Sequence, residues 1–244
     1  MRIDAGTAVV VCAGPSLDRM TAEAWEEIGR AGAVVAVNGA AVSQACLGNH
    51  VRFTCLAAMD LSMKLGDYVP ALSALWQTTP AWRVASTESH AIEAESYIVE
   101  VDEEHGIEGW SDDVRQGYKG GSTAMIIGNW LGNSWPDDQT TRDELRQISA
   151  RTGKSIPRRG FRKLAYIGLD MHPDNGLHAD GAGMHVSGFA RSPQQYQNVC
   201  LGWEKFCGEA ARRAIEVVNL TPGTALAVMP RARVPQSWVS GGAW

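Results

Sequence analysis

The chain has 244 residues, with 22 basic and 27 acidic side chains, a net charge of −5 and 45% hydrophobic residues. This length suits one large domain or two very small ones, and a charged fraction of 20% excludes a disordered chain. The apolar stretches fall far short of the roughly 18 residues that span a bilayer, so we expect a cytoplasmic protein without a membrane span. The mild acidity argues against a protein that coats nucleic acid by charge alone.

The chain contains five cysteines, an odd number, and none of them forms a Cys-x-x-Cys pair. A structural zinc site and a disulfide framework are therefore both disfavoured. We expect the cysteines to be reduced thiols in the core of a cytoplasmic protein.

Short β-branched runs alternate with helical patterns, which is typical of a mostly parallel sheet with crossover helices. The first apolar run follows one Arg and an early Asp, so it favours a first strand over a signal peptide. Strands are predicted over 7–12, 33–37, 52–58, 82–85, 97–101, 163–169 and 215–220. Helices are predicted over 17–30, 120–131, 138–151 and 193–214.

Two segments interrupt this alternation. Residues 133–162 are polar with a basic end and are predicted to form an insertion. Residues 171–192 are rich in glycine and histidine, with almost no periodicity, and are predicted to form a flexible lid loop. The fold class predicted for residues 1–244 is a single α/β domain, in which helices flank a Rossmann-like, mostly parallel sheet.

Ligands of open parallel sheets bind at the carboxyl ends of the strands. The first strand ends in Gly14-Pro15-Ser16, which leads directly into a predicted helix. Glycine admits a close approach to the backbone, proline suits a first helical turn, and serine is a favoured cap. The free N–H groups of such a helix start attract phosphate. The spacing matches neither the dinucleotide-binding nor the P-loop motif, and an ordinary strand–turn–helix connection is the alternative interpretation.

A second glycine-rich helix start lies at Gly120-Gly121-Ser122, where adjacent glycines can direct several N–H donors toward one anion. Three polar residues follow other predicted strands: Asn38, Asp60 and Asp170. Asn38 offers a donor and an acceptor, and a carboxylate such as Asp60 can accept from two ribose hydroxyls. A flexible link at the glycines, and turn or helix-cap roles for the polar residues, are the alternatives.

Three histidines, His172, His178 and His185, lie in the glycine-rich segment. Their spacing fits no zinc site and the chain has no Asp-x-Asp motif, so no metal is expected. A histidine in a loop over a strand-end cleft suits a general base, because its pKa lies near neutrality. The alternative is that these histidines have no chemical role.

The chain contains, in order, VVVCAGPSL, AVVAVNG, a strand ending in MD, GGSTAMIIGNWLG and KLAYIGLDMHPDNG. Together these motifs resemble the bacterial sialyltransferases that decorate lipooligosaccharide, and the related sialyltransferase-like and 6-hydroxymethylpterin pyrophosphokinase-like domains of bacteria and phages. The resemblance spans residues 8 to about 229 and is carried by the motifs. It implies a sialyltransferase-like, GT-A-variant fold and metal-independent transfer from a nucleotide-activated sugar.

The resemblance also implies roles for individual residues. His185, with His178 second, is the implied general base, and Asp170 completes the catalytic set near the nucleotide. Phosphate is expected to contact His172 and one of Arg231 and Arg233. The residues implied to surround the donor nucleotide are Gly14, Pro15, Ser16, Asn38, Asp60, Gly120, Gly121 and Ser122.

The predicted function is therefore transfer of a sugar from a nucleotide-activated donor to an acceptor alcohol. The acceptor is a glycan or, in a phage-encoded enzyme acting in the host cytoplasm, a modified DNA base reached through the basic end of 133–162. One alternative is a Mg²⁺-dependent pyrophosphokinase acting on a pterin-like alcohol, with the metal held by carboxylates such as Asp60 and Asp170. Another is a non-catalytic nucleotide- or DNA-binding protein.

Overall fold

The computed structural model describes residues 2–58, 69–87, 93–101, 103–171 and 193–240. In these ranges eight strands form one sheet with the order β6-β5-β4-β3-β2-β1-β7-β8, and every neighbouring pair is parallel. The strands are β1 (Thr7–Val11), β2 (Ala33–Val37), β3 (Cys55–Ala58), β4 (Trp82–Ser86), β5 (Ser96–Val101), β6 (Gln116–Tyr118), β7 (Lys163–Ile167) and β8 (Glu216–Asn219). The predicted α/β, Rossmann-like class is confirmed, and the described sheet is parallel throughout.

Six helices accompany the strands within the described ranges. They are α1 (Ala22–Ile28), α2 (Gln44–Gly48), α3 (Val69–Thr78), α4 (Thr123–Gly132), α5 (Gln139–Thr152) and α6 (Pro193–Arg212). None of the described helices is long and apolar enough to cross a membrane.

The central strands are buried along their whole length because both faces of the sheet are covered. Every residue of β1 and β2 is buried, as expected for parallel strands between two layers. Side chains on one face of β1, such as Val10, pack with α4 and α6, whereas Val9 and Val11 pack with α1 and the segment around Trp238. The molecule therefore has two cores, one on each face of the sheet.

Helix α4 lies at the centre of the first core. All its residues after Thr123 are buried, and it contacts β1, β2, β6 and β7. Strands β6 and β7 are separated by five other strands in the sheet, so one short helix touches both only because the sheet curls around it. A helix that is apolar on all sides is expected in such a buried position.

One predicted helix differs from the structure. The helix predicted over 17–30 is divided into a 3₁₀ turn, Pro15–Arg19, and α1. Met20 between them is extended and forms a β-bridge with Val239, and the Thr21 side chain then caps α1 by accepting from the Ala24 N–H. The tertiary contact with the C-terminal segment overrides the helical pattern at this point.

Strand β6 and helix α3 were not predicted from the sequence. Strand β6 has only three residues, one of them a glycine, which is too short for an alternating pattern. Helix α3 does carry a signal, since Pro70 stands in its first turn, where proline is tolerated.

The chain crosses from one half of the sheet to the other beside β1. From β1 it runs outward through β2 to β6, and it then returns to place β7 on the opposite side of β1. Connections therefore leave in opposite directions at the carboxyl ends of β1 and β7. This is the position at which α/β sheets form a ligand crevice.

Candidate functional site

The turn after β1 meets the residues after β7 at this position. The Gly14 N–H donates to the Gly168 carbonyl over 2.8 Å. The Ser16 hydroxyl lies 2.8 Å from Asp170 Oδ2, and the Ser16 N–H points to the same oxygen over 3.4 Å. The structure thus brings Gly14 and Ser16 together with Asp170, a predicted site residue that is 154 positions from Ser16 in the sequence.

Gly14 is required by the close approach of these two segments. A Cβ built on Gly14 would lie 1.9 Å from Asp170 Oδ2 and 2.3 Å from the Gly168 carbonyl oxygen. Its φ of −73° and ψ of 155° are open to any residue, so the requirement is steric and not conformational. From the sequence, this glycine was expected to let a ligand approach the backbone. In the structure, Asp170 and Gly168 of the same chain occupy that space.

The donors of the first helix start are directed at a protein carboxylate. Ser16 and Asp170 are both buried, and Ser16 gives its hydroxyl and its N–H to Asp170. A phosphate would have to share or displace that carboxylate to reach the same donors. The prediction that this turn supplies free N–H groups is wrong for Ser16, because its N–H and hydroxyl already have the Asp170 carboxylate as their partner.

Cys12, the residue that directly follows β1, carries a buried thiol. Burial raises the pKa of its thiol far above the usual range, and the charge of Asp170 raises it further. The group therefore stays protonated at neutral pH, whereas nucleophilic cysteines act as thiolates.

The second glycine-rich start precedes α4, as predicted, although the helix begins at Thr123 and not at residue 120. Gly120 and Gly121 have φ values of 47° and 81°, which lie in the left-handed region that favours glycine. The Ser122 side chain does not cap the helix, so the first-turn N–H groups are not bonded by it. The start of α4 lies at the carboxyl edge, because the helix follows β6 and its far end meets Phe161 just before β7.

Helix α6 connects this second start with Asp170. A Cβ on Gly121 would lie 2.8 Å from Val199 Cγ2, so the glycine turn rests on α6. One turn earlier in α6, the Tyr196 hydroxyl donates to the Ala225 carbonyl over 3.1 Å, and the Ala225 N–H donates to the Asp170 carbonyl over 2.9 Å. The two helix starts therefore share α6 as a common wall. Tyr196 was not among the predicted site residues.

Asn38 stands at the carboxyl end of β2, next to β1. It opens a 3₁₀ turn, Asn38–Val42, and its φ is 50°. Asparagine tolerates this left-handed conformation better than most residues, which gives a backbone reason for its presence here. Its side chain is half-buried at the carboxyl end of β2, and its predicted role in binding a nucleotide stays a prediction.

The two predicted phosphate-binding arginines lie beyond β8. Arg231 forms an isolated parallel bridge with Asn219, the last residue of β8, and its charge reaches Tyr196, where it opposes the rise in pKa that burial causes. It also lines an open groove of about 360 Å³ along β8, together with Val217. Arg233 is exposed in the segment that leads toward Trp238. Neither Ser16 nor Asp170 lines that groove.

Four predicted site residues lie outside the described residues. They are Asp60, His172, His178 and His185. The same holds for nearly all of the predicted lid, since residues 172–192 are not described. Within the described ranges, no group of three or more His, Cys, Asp or Glu side chains could hold a metal ion.

The basic end of 133–162 lies at the opposite, amino edge of the sheet. The Arg158 side chain donates to the Ala5 carbonyl, which precedes β1, and the Arg162 carbonyl accepts from the Glu216 N–H at the start of β8. Each of these basic side chains has an intramolecular partner. Two lysines form ion pairs, Lys154 with Glu95 and Lys163 with Glu216. Three arginine side chains donate to backbone carbonyls: Arg158 to Ala5, Arg159 to Trp130 and Arg162 to Arg213. A strand of five residues, roughly 17 Å long, separates this edge from Ser16 and Asp170.

Comparisons of the chain with protein-family models, with curated proteins and with solved structures found no significant match.

Proposed function

We propose that the protein is a glycosyltransferase that takes a sugar from a nucleotide-activated donor. The observation that carries the proposal is the meeting of the Gly14–Ser16 turn with Asp170 in the crevice between β1 and β7. Crevices at this position of a parallel sheet are the usual ligand sites of α/β folds. The proposal includes a sialyltransferase-like variant of the fold and a lid formed by residues 171–192.

The start of α4 supports a site for the phosphate of the donor. The N–H groups of Thr123 and Ala124 in its first turn receive no cap from the Ser122 side chain, whereas the Met125 N–H donates to the Ser122 carbonyl over 3.0 Å. This turn lies at the same edge of the sheet as Asp170. Helix dipoles and free N–H groups favour an anion at such a position. Arg231, two strands from Ser16 along the sheet, would add a positive charge on the leaving-group side.

The proposed reaction needs one base and no metal. The acceptor hydroxyl gives its proton to the imidazole of His185, with His178 as the second candidate, and its oxygen bonds to the anomeric carbon of the sugar. The bond from that carbon to the phosphate oxygen breaks, and the nucleotide leaves with the bonding electrons. N–H donors and a cation near the phosphate stabilise the negative charge that develops there.

The acceptor that we propose is an alcohol of a glycan. A DNA acceptor guided by the 133–162 segment receives no support, because those basic side chains bind the protein itself at the amino edge. We keep the pyrophosphokinase and the non-catalytic binding protein as outcomes of the tests.

A thermal-shift panel of CMP-sugars, UDP-sugars and ATP tests the proposal. A ligand that binds the folded state at one hundred times its Kd adds about 2.7 kcal/mol of stability. For a chain of this size that corresponds to a rise in Tm of about 5–10 °C. We expect one class of nucleotide sugar to give this rise without added Mg²⁺. No rise with any nucleotide sugar, or a rise only with ATP and Mg²⁺ followed by AMP release, would contradict it.

The same panel separates binding from chemistry. In an assay of transfer run beside the panel, His185→Ala should keep the thermal shift and lose transfer to the acceptor, and His178→Ala tests the second candidate base. Full transfer by His185→Ala with loss in His178→Ala would assign the base to His178. Full transfer by both variants would remove histidine base catalysis from the proposal.

A further inference from the structure

Three polar side chains at the end of β8 and just after it are buried next to Asp170. Asn219, Thr221 and Thr224 are each less than 5% exposed, and none of them was a predicted site residue. Buried polar side chains nearly always have hydrogen-bond partners, so the partners of these three residues indicate their structural role.

All three side chains bind the backbone that carries Asp170. The Thr224 hydroxyl lies 2.7 Å from the Leu169 carbonyl and 3.1 Å from the Asp170 carbonyl. Thr221 Oγ1 accepts from the Leu169 N–H over 2.8 Å. Asn219 Nδ2 donates to the Leu169 carbonyl over 3.3 Å and to Thr224 Oγ1 over 3.2 Å. Side chains therefore hydrogen-bond the backbone polar groups around Asp170. Inside a β-sheet, the backbone of a neighbouring strand would bond these groups instead.

This support is needed because the chain leaves the sheet in an unusual conformation. Gly168 has a φ of 72° and Met171 a φ of 51°, so left-handed residues stand on both sides of the Leu169–Asp170 pair. A non-glycine residue in this region persists when its surroundings hold it there, and such positions cluster at functional sites. The carboxylate of Asp170 then projects to Ser16 from a backbone that is fixed on both sides.

Asn219 also supports the residue that we place near the leaving group. Its N–H donates to the Pro230 carbonyl over 2.8 Å, and its own carbonyl accepts from the Ala232 N–H over 3.1 Å. These two bonds hold the backbone on both sides of Arg231. One residue therefore connects the acidic side of the crevice with its basic side.

We infer that Thr224, Thr221 and Asn219 are positioning residues that orient Asp170 for the donor nucleotide. The inference rests on the proposed function, since it deepens the description of that same site. These side chains touch no reacting atom, and they act through the backbone of residues 169 and 170.

The matched pair Thr224→Val and Thr224→Ser tests the inference. Valine keeps the shape and removes the hydroxyl, whereas serine keeps the hydroxyl. We expect Thr224→Val to weaken binding of the nucleotide sugar about tenfold and Thr224→Ser to stay within about twofold. In an Asp170→Asn background, Thr224→Val should cause no further loss. An equal loss in both backgrounds, or no loss in either, would overturn the inference.

Hydrogen exchange of the Ser16 amide tests the positioning without any ligand. This amide points to Asp170 Oδ2, so Thr224→Val should speed its exchange about tenfold while the amides of β1 keep their rates. An unchanged Ser16 rate refutes the positioning role. A changed rate in a protein that binds no nucleotide sugar supports positioning and contradicts the proposed function instead. If Thr224→Val does not fold, Thr221→Val takes its place with the same expected results.

Discussion

At the scale of single residues, the strand-end rule selected a real cluster but could not give its internal contacts. Gly14, Ser16 and Asp170 were chosen because they follow buried apolar runs, and the structure brings them together. The hydrogen bond between Ser16 and Asp170 joins residues 154 positions apart, which no local pattern can reveal. The sequence therefore selected residues that meet at one edge of the sheet, whereas the hydrogen bond from Ser16 to Asp170 is known only from the tertiary structure.

Replacement of Gly14 by alanine tests this close approach. The added Cβ would collide with Asp170 and with the Gly168 carbonyl, so we expect a loss of about 1–3 kcal/mol in the free energy of unfolding. Binding of the nucleotide sugar should weaken as well, because the turn and the carboxylate must separate. Urea denaturation and calorimetry measure the two effects.

Gly48→Ala is the control for this substitution. Gly48 lies in α2 with no atom within 4 Å of its missing Cβ, so alanine should be neutral or stabilising there. Equal stabilities for Gly14→Ala and the unchanged protein would show that the two segments do not touch as described.

At the scale of elements, periodicity predicted most helices and strands but not how they pack. The run GGSTAMIIGNWLG predicted a helix, yet only the structure shows that α4 is enclosed by the curled sheet. Gly128 makes this possible, because a Cβ there would lie 1.9 Å from the Tyr166 hydroxyl oxygen. A glycine inside a predicted helix indicates close packing at that position. The sequence does not show which residue packs against it.

The polar 133–162 segment was predicted as an insertion, and a buried ion cluster explains how it is attached. Glu95 accepts from the Arg83 side chain at distances of 2.6–3.1 Å and from Lys154 at 3.2 Å, and all three side chains are largely buried. Lys154 follows α5, so this contact joins the segment to the ends of β4 and β5. The basic pattern of the segment suggested an external partner, and the structure provides an internal one.

This cluster makes the free energy of unfolding fall when the pH is lowered into the acidic range. Burial raises the pKa of Glu95, but hydrogen bonds from Arg83 and the charge of Lys154 outweigh it and hold the pKa below its usual value. The contribution is fully present above the pKa of an unfolded glutamate, about 4.3, and is lost as pH falls through the lower folded value. Glu95→Gln should cost about 3–5 kcal/mol at pH 7, because two cations lose their partner.

Urea unfolding across pH 3–7 measures this effect. The loss of stability below about pH 4 should be smaller in Glu95→Gln than in the unchanged protein. Exposed Glu144, in α5, is the matched control, and Glu144→Gln should stay within about 0.5 kcal/mol at every pH. Parallel pH profiles for the unchanged protein and Glu95→Gln would contradict the role of this cluster.

At the scale of the whole molecule, the alternation of strands and helices predicted the parallel sheet, whereas the order of the strands came only from the structure. Sheet order depends on contacts between distant segments, such as the pairing of β1 with β7. That pairing brings the carboxyl ends of β1 and β7 side by side, and it places the basic end of 133–162, which precedes β7, at the amino edge of the sheet. A nucleotide site shared by the two helix starts therefore requires β1 and β7 to be neighbours and α6 to join Asp170 to the start of α4.

A crystal structure with the nucleotide sugar that gives the largest thermal shift tests this account most directly. We expect the nucleotide in the crevice at the carboxyl edge, in contact with the Gly14–Ser16 turn and with its phosphate at the start of α4. A nucleotide bound instead in the groove along β8, or at the amino edge beside Arg158, would contradict the central claim.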